Sequence, residues 1–369
     1  MHAVISTFKE HIKQAAASGQ TLRIQGGNTK HFYGQHHAAD AVLDTRAYTG
    51  IVSHEPSELV VTVRCGTPLT QLEDALSAQG QCLAFEPPHF GAAATVGGMV
   101  AAGLAGPSRA SVGGVRDHVL GAKLINGLGE ELTFGGQVMK NVAGYDVSRV
   151  LAGSMGTLGL ITEVSLKVLP IAPAQATLVC HLPQHDALNQ LHRWGAQALP
   201  LNASTVTKNV LYLRLRGAVA AVEAACPRMV ADVQALGGSA ERMDNAQAQQ
   251  HWQACREQTL AFFQPPSAQA CLWRLSVPQT AALVDLPHEM LIEWHGGLRW
   301  CWAPAAEAGV LRQVAAQAGG HATLFRPASA GTFATPVFSE LPPVQQRIQR
   351  ELQKQFDPQA VFNTGRVGS

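Results

Sequence analysis

Four glycine-rich loops lie within the first 170 residues of this 369-residue chain, and they constrain its fold more than any other feature. Three are glycine pairs at positions 26–27, 97–98 and 113–114, and the fourth is the spaced set Gly153, Gly156 and Gly159. Glycine loses more backbone entropy on folding than any other residue, so such an accumulation needs a physical reason. A single pair is typical of a tight turn. Four loops in one half of the chain, two of them opening on strands, instead predict one long ligand with a pyrophosphate and a broad planar ring.

The spaced set has the letters of a dinucleotide fingerprint in the wrong context. A Rossmann G-x-G-x-x-G follows a strand and opens a helix. In AGSMGTLGLITEV (residues 152–164) a helical segment precedes the glycines, a Val/Ile/Leu-rich strand follows them, and the spacing is G-x-x-G-x-x-G. A Rossmann fold is therefore disfavoured.

The first glycine pair lies in QGGNTK, directly after a short predicted strand at residues 22–25. This loop would present successive backbone N–H groups together with the Thr29 hydroxyl. Such a nest binds a phosphate without any basic side chain. The stretch TVGGMVAAG, which begins at Thr95, has the composition of backbone packed against a flat apolar ligand.

Composition excludes several classes of protein. The formal net charge is +1 and no basic run occurs, so there is no electrostatic case for binding nucleic acid or an anionic membrane surface. The longest uncharged run, residues 91–107, is short for a membrane span and consists mostly of Gly and Ala. Charged residues interrupt the N-terminal segment where a signal peptide needs an apolar core. We therefore expect a cytoplasmic protein without a transmembrane segment, associated with a membrane only through a complex.

The seven cysteines are widely and irregularly spaced, and no C-x-x-C occurs. This pattern predicts neither a disulfide framework nor a zinc or iron–sulfur site. Any iron–sulfur cluster that the function requires would therefore come from another chain.

Six motifs occur in the order found in the vanillyl-alcohol-oxidase-type flavoproteins, which share a PCMH-type FAD-binding domain. More closely, the chain resembles the family of FAD-binding E subunits of bacterial glycolate oxidase (glycolate dehydrogenase). The resemblance is strong over residues 20–170 and the last dozen residues, and vague between them. The motifs are RIQGGNTK, HEPSELVVTVRCGTPLTQLEDAL, PPHFGAAATVGGMVAAGLAG, GGVRDHVLGAKLINGLGEEL, KNVAGYDVSRVLAGSMGTLGLITEVSLKVLP and FDPQAVFNTGRV.

The resemblance implies an α+β fold in three parts. Residues 1–172 would form the PCMH-type FAD-binding domain, built from two small α+β subdomains. The loss of glycine after LPIAPA (residues 169–174) supports a boundary there. Residues 173–340 would form a smaller α+β cap domain. Residues 341–369 would form a C-terminal helix and a segment that returns to the flavin.

The resemblance also implies the residues that bind FAD. The first loop would wrap the pyrophosphate, the segments around Thr95 and Gly153 would lie along the cofactor, and the C-terminal Asn363 and Arg366 would lie near the flavin. The complete implied set is Gly26, Gly27, Asn28, Thr29, Lys30, Thr95, Val96, Gly97, Gly98, Gly153, Gly156, Thr157, Gly159, Ile161, Asn363 and Arg366.

The residue after the first glycine pair decides how FAD is held. Relatives that attach FAD covalently carry a histidine there, whereas this chain carries Asn28, so we expect non-covalent FAD. The nearby His31, His36 and His37 are interpreted as polar surface residues.

The implied function is that of an FAD-dependent oxidoreductase subunit, in a complex that oxidises the CH–OH group of glycolate or another 2-hydroxy acid. The expected partners are a paralogous FAD-containing catalytic subunit and an iron–sulfur subunit. Catalytic residues are not identified from the sequence. The metal-binding His-x-Gly-Asp-Gly-Asn cluster of catalytic relatives is missing, and Pro183 separates His181 from His185, so no metal site is predicted.

Arg274, Arg299 and Arg326 are candidate carboxylate anchors. For Arg299, among Trp294, Trp300 and Trp302, we prefer core packing with the guanidinium reaching outward.

Two roles stay open. The chain oxidises the substrate at its own flavin, or it is a non-catalytic FAD electron-relay and assembly subunit, which the missing metal ligands favour. A third, less favoured interpretation is a flavin-dependent sugar-nucleotide reductase.

Overall fold

The computed structural model describes residues 2–36, 38–136, 146–328 and 335–368. The chain forms two compact units. Unit 1 comprises Met1–Leu104, Gly114–Ile171 and Glu340–Ser369, and unit 2 comprises Ala105–Gly113 and Ala172–Ser339.

The strands of unit 1 are β1 (Leu22–Gln25), β2 (Ala41–Asp44), β3 (Ile51–Glu55), β4 (Val60–Arg64), β5 (Gln81–Cys82), β6 (Val119–Ile125), β7 (Glu131–Gly135), β8 (Leu160–Lys167) and β9 (Leu169–Pro170). The strands of unit 2 are β10 (Ala174–His181), β11 (Leu201–Thr207), β12 (Val210–Gly217), β13 (Ser239–Arg242), β14 (Ala270–Ser276), β15 (Met290–Glu293), β16 (Leu298–Pro304) and β17 (His321–Arg326).

The helices in chain order are α1 (His2–Ser18), α2 (Leu69–Ser77), α3 (Val96–Ala102), α4 (Arg109–Val112), α5 (Val115–His118), α6 (Val147–Val150), α7 (Gln184–Gly195), α8 (Val219–Ala235), α9 (Asn245–Glu257), α10 (Ala308–Gln317) and α11 (Pro343–Phe356). Within the described ranges, every helix is too short or too polar to cross a bilayer.

Unit 1 contains two principal sheets. Strands β1 and β2 pair in parallel, and β3-β4-β8-β6-β7 form a five-stranded antiparallel sheet. Helix α1 contributes Phe8 and Ile12, four positions apart and therefore on one face, to a core that also holds Leu43 and Phe362. Gly19, with φ +67°, ends this helix. The last residues return to unit 1, because Phe362 bridges Leu22 at the start of β1.

Strand β8 differs from the half-buried strand that its alternating sequence predicts. It lies between β4 and β6, and seven of its eight residues are buried. The polar side is buried because its groups have partners: Glu163 accepts a hydrogen bond from the Tyr48 hydroxyl at 2.9 Å and pairs with Lys123 at 2.8 Å.

Unit 2 is built on an eight-stranded sheet in the order β13-β10-β12-β11-β15-β16-β14-β17, with every neighbouring pair antiparallel. One face carries an apolar core that includes Leu178, Leu213 and Trp273, together with residues of α7, α8 and α10. On the other face α9 packs Trp252 and Cys255 against Ala203 of β11. The predicted α+β class is confirmed.

Candidate functional site

The first glycine loop follows β1 and passes very close to residues 93–95. A Cβ on Gly26 would lie 2.3 Å from Oγ1 of Thr95, and a Cβ on Gly27 would lie 1.5 Å from the carbonyl oxygen of Ala93. Real Cβ atoms essentially never approach within 3.0 Å, so a side chain at residue 27 would collide with backbone, and one at residue 26 would force Thr95 to move. The main chain at Ala93 therefore requires Gly27, and the Thr95 side chain, rather than a ligand, accounts for Gly26.

Residues 95–98 open helix α3 and are packed just as closely. Thr95 is the N-cap, and its Oγ1 accepts a hydrogen bond from the Gly98 N–H at 3.3 Å. A Cβ on Gly97 would lie 2.6 Å from the Cβ of Cys65. Val96 is fully buried, so Val96 and Gly97 face the interior of unit 1.

A cleft of about 110 Å³ lies where the first loop, the start of α3 and the C-terminal segment meet. Three arginine or lysine side chains and no carboxylate line it, so its potential favours an anion. Its lining residues are Arg23, Ile24, Gln25, Gly26, Gly27, Asn28, Thr29, Lys30, His31, Tyr33, Thr95, Gly98, Ala101, Ala102, Met155, Asn363 and Arg366.

Donor groups in the cleft lack acceptors within the described chain. Nε of Arg23 is buried without a hydrogen-bond partner, although its Nη2 donates to Oε1 of Gln25 at 3.2 Å. The backbone N–H groups of residues 26–29 donate to no atom of the described residues. Asn28 takes the left-handed backbone, φ 59°, at which the chain reverses. Because successive backbone N–H groups without a protein acceptor form an anion-binding nest, these groups fit a bound anion such as a pyrophosphate.

The pKa values in the cleft reflect its positive charge. Burial, followed by the charges of Arg366 and Arg23, lowers the pKa of His31. Burial, followed by the charge of Arg23, lowers the pKa of Arg366. An anion placed among these groups would relieve their mutual repulsion.

The C-terminal segment is fixed by two side chains that line the cleft. Oδ1 of Asn363 accepts a hydrogen bond from the Ile24 N–H at 3.1 Å, and its Nδ2 donates to the Met155 carbonyl at 2.6 Å. Nη2 of Arg366 donates to the carbonyls of His31 at 2.9 Å and Tyr33 at 2.6 Å. Asn363 thus ties the C-terminal segment to β1 and to Met155, and Arg366 ties it to the residues that follow the first loop, while the Arg366 charge stays beside the cleft.

Nine of the sixteen predicted residues line the cleft: Gly26, Gly27, Asn28, Thr29, Lys30, Thr95, Gly98, Asn363 and Arg366. Seven do not: Val96, Gly97, Gly153, Gly156, Thr157, Gly159 and Ile161. For those seven, contact with a cofactor stays a prediction.

The glycines of the spaced set also have intramolecular explanations. Gly153, at φ +84°, brings its Cα to 2.8 Å from where a Gly103 Cβ would stand. A Cβ on Gly156 would lie 2.6 Å from Nδ2 of Asn363, and one on Gly159 would lie 2.6 Å from the Ile125 carbonyl. These positions hold α3, the C-terminal segment and β6 close together.

Sequence reasoning missed several lining residues, among them Arg23, Met155 and Ala101. Arg23 lies two residues before the loop on a strand, a position from which a side chain could have been expected to reach the cleft. His31 and His36 are both exposed, as predicted, and His31 also lines the cleft. His37 lies outside the described residues.

Two of the three arginines predicted as candidate carboxylate anchors, Arg299 and Arg326, donate hydrogen bonds to protein oxygens. Arg299 is fully buried and donates to the carbonyls of Gly296, Ala282 and Ala281, so the prediction that it reaches outward is wrong. Arg326 donates to Oε1 of Gln258 at 2.8 Å. Among the described residues, no group of three His, Cys, Asp or Glu side chains could hold a metal ion.

Comparison with known proteins identifies the family. Residues 5–135 match the FAD binding domain family. The chain is 44% identical over 360 residues to glycolate oxidase subunit GlcE of Escherichia coli (strain K12), covering 97% of this chain and 95% of that protein. The chain belongs to the GlcE family. This GlcE-family chain therefore contains an FAD-binding domain in unit 1.

More distant relatives align over smaller parts of the GlcE-family chain. D-lactate dehydrogenase of Archaeoglobus fulgidus is 34% identical over 46% of this chain and 38% of its own length. Glycolate oxidase subunit GlcD of Bacillus subtilis is 31% identical over 38% of this chain and 30% of its own length. Alkyldihydroxyacetonephosphate synthase shares the fold, with a TM-score of 0.66 at 14% identity over 96% of this chain and 73% of that chain.

Proposed function

We propose that this chain is the FAD-carrying subunit of a complex that oxidises glycolate, or a related small 2-hydroxy acid, to the 2-oxo acid. The observation that carries the proposal is the 44% identity with a GlcE subunit along nearly the full length of both chains. Unit 1 would be the FAD-binding domain, unit 2 the cap, and the residues after 340 the returning segment. The same identity argues against the sugar-nucleotide reductase.

The cleft would hold the pyrophosphate part of FAD. At about 110 Å³ it is smaller than the roughly 300–1,000 Å³ pockets that enclose a whole ligand, so the rest of the cofactor would extend beyond it. When bound, FAD supplies the electron acceptor for oxidation of the CH–OH group. The N–H groups of residues 26–29 would donate to the pyrophosphate oxygens, and Arg23 and Arg366 would balance their charge.

We propose that the cofactor is held without a covalent bond, since Asn28 offers no nucleophile at the position of the attached histidine. Denaturing FAD-loaded protein and pelleting it tests this directly. We expect the yellow flavin in the supernatant, and flavin that pellets with the protein would contradict the proposal.

The proposed partners are a paralogous FAD-containing subunit of the GlcD type and an iron–sulfur subunit, in the cytoplasm. The names of the relatives support this, because both GlcE and GlcD are subunits of glycolate oxidase. Co-expression with tagged GlcD-type and iron–sulfur candidates, followed by size-exclusion chromatography, tests the complex.

The central experiment separates oxidation at this chain's own flavin from electron relay. The purified, FAD-loaded chain is mixed anaerobically with glycolate, alone and with its partners. Bleaching of the flavin by the chain alone establishes oxidation within this subunit. Bleaching only with partners supports the relay. No bleaching in either case contradicts the proposed function, and nicotinamide-dependent reduction of a sugar nucleotide would revive the reductase.

A further inference from the structure

We propose that Arg274 in unit 2 binds the carboxylate of a small 2-hydroxy or 2-oxo acid, so that this subunit itself holds a substrate-like anion. The acid class rests on the proposed function, whereas the anion site rests on the side chains of unit 2.

Arg274 is a half-buried arginine that forms no hydrogen bond and no ion pair through its side chain within the described residues. It lies in the middle of β14, opposite Trp300 of β16 and Thr323 of β17. Its Nε is buried without a hydrogen-bond partner, and within the described chain its guanidinium donates no hydrogen bond and forms no ion pair. The other two candidate anchors, Arg299 and Arg326, each donate to protein oxygens, so Arg274 is the candidate anchor still able to bind an anion.

A second cation shares the same aromatic ring with Arg274. The guanidinium carbons of Arg274 and Arg109 lie 5.2 Å and 4.5 Å from the ring centroid of Trp294. The ring attracts each cation, but the two like charges repel one another in this partly buried place. An anion bound to Arg274 would offset that repulsion.

Strained backbone holds Trp294 in position. Trp294 and His295 both have left-handed backbone, φ 54° and 56°, which costs about 1–3 kcal/mol for each residue. Two hydrogen bonds stabilise this strained backbone. Nε1 of Trp294 donates to the Gly106 carbonyl at 2.9 Å, and the His295 N–H donates to Oγ of Ser204 at 2.9 Å. Such over-determined turns concentrate at binding sites, where they fix the geometry before the ligand arrives.

The buried carboxyl group of Glu293 does not form an ion pair with Arg274. Glu293 is buried and accepts a hydrogen bond from Nε1 of Trp300 at 2.7 Å, and it forms no ion pair with a described cation. Burial raises the pKa of Glu293 to about 7, although Trp300 and then Arg274 oppose the shift. The Glu293 carboxyl group is thus held by Trp300 and forms no ion pair with Arg274, so the charge of Arg274 stays available.

The chemistry of the guanidinium selects the ligand class. Its planar, five-donor fork matches the two oxygens of a carboxylate, and charge-assisted pairs of this kind are the stronger hydrogen bonds. A small acid such as glycolate presents one carboxylate and little else.

The test measures binding rather than turnover. The full-length, FAD-loaded chain is titrated with glycolate and with oxalate in a calorimeter, as wild type and as Arg274→Gln. We expect the variant to bind at least about tenfold more weakly, because it loses a charge-assisted pair. Arg312→Gln is the matched control, since Arg312 also lies over a tryptophan, Trp273 at 5.9 Å, but donates to the Pro336 carbonyl. It should bind like the wild type.

Arg274→Lys keeps the charge without the fork, so its affinity should lie between those of the wild type and Arg274→Gln; it provides the measurement if the glutamine variant does not fold. Equal affinities of the wild type and the Arg274 variants would overturn the proposal. So would an FAD-loaded wild type that binds neither acid. FAD content, measured separately, reports on the proposed function: carboxylate binding lost at Arg274 supports the site even if glycolate never bleaches the flavin.

Discussion

Gly27 in unit 1 and Gly309 in unit 2 occupy opposite surroundings. A Cβ on Gly27 would lie 1.5 Å from a backbone carbonyl oxygen, whereas a Cβ on Gly309, inside α10, would find no atom within 4 Å. In unit 1 the main chain itself is packed against main chain, and the candidate cleft forms there. In unit 2 the proposed anion site consists of side chains from elements that are far apart in the sequence. A site built from closely packed main chain can be recognised from neighbouring glycines in the sequence. A site built from side chains that are distant in the sequence has no such local pattern.

The largest expected effect tests the steric half of this comparison. Gly27→Ala cannot be accommodated, because its neighbour is backbone rather than a flexible side chain. We expect a loss of more than about 4 kcal/mol of unfolding free energy, and with it the loss of FAD binding. Thermal unfolding and flavin absorbance measure both.

Gly309→Ala is the matched control for that substitution. Replacing an exposed helical glycine that has free space around it by alanine should raise the free energy of unfolding by about 0.5–1 kcal/mol. If both variants were equally stable, close backbone packing would not be the reason for the glycine loop.

The second prediction concerns a side chain that organises unit 2. Arg299 is fully buried, and its guanidinium donates to the carbonyls of Ala281 and Ala282 at 2.7 Å each and of Gly296 at 3.2 Å. Arg299→Met keeps the apolar stem but leaves three carbonyls without their donor, and each buried unsatisfied group costs about 1–3 kcal/mol. We expect about 3 kcal/mol or more of destabilisation by denaturant titration. A neutral effect would mean that water replaces the guanidinium.

The division between local and distant structure also sets what the sequence could predict. Helix α1 ending at Gly19, strand β1 and the loop after it were predictable, because the relevant residues are neighbours in the chain. The burial of both faces of β8 was not predictable, since the partners of Glu163 come from Tyr48 and Lys123, far away in sequence. The glycine pattern indicated a close approach but could not say that Ala93 and Thr95, rather than a ligand, make it.

The same reasoning explains the tryptophan cluster of unit 2. Its letters, WHGGLRWCW, place Arg299 among aromatic residues without revealing which carbonyls it reaches. The loop at residues 281–282 that accepts its hydrogen bonds has no motif. Arg274 is 20 residues upstream of Trp294, and only the antiparallel register of the sheet brings them together.

The third prediction uses the titration of Glu293 in unit 2. Burial raises its folded-state pKa from 4.5 to about 7, so the folded protein binds the proton more tightly than the unfolded chain. The contribution of Glu293 to the free energy of unfolding should therefore fall by about 2–3 kcal/mol as pH rises from about 4.5 to about 7, whereas the lowered pKa values of His251 and His295 add contributions that rise with pH. Glu293→Gln retains an acceptor for Trp300 and should remove this contribution, so the free energy of unfolding of the variant relative to the wild type should rise by about 2–3 kcal/mol from pH 5 to pH 8. Stability measured at pH 5 and pH 8 decides, and an equal pH dependence in both proteins would contradict the raised pKa.

The smallest expected effect separates ligand binding from folding in unit 1. Arg23 makes one hydrogen bond, to Gln25, and its buried Nε has no partner in the described chain. Arg23→Gln should therefore leave the stability of the FAD-free protein within about 0.5 kcal/mol of the wild type. FAD should bind roughly tenfold more weakly, because a charge-assisted bond to a pyrophosphate is lost. The salt dependence of FAD binding should weaken as well.

Arg64 supplies the matched control for this last substitution. Its Nε is likewise buried without a partner, but Arg64 lies outside the cleft and donates instead to the Thr49 carbonyl at 3.0 Å. Arg64→Gln should lower stability and leave FAD affinity unchanged. Fluorescence titration with FAD measures the affinity of both variants. If Arg23→Gln lowered stability without changing FAD affinity, the unpartnered donors of the cleft would be structural, and unit 1 would resemble unit 2 in using its arginines to hold the chain together.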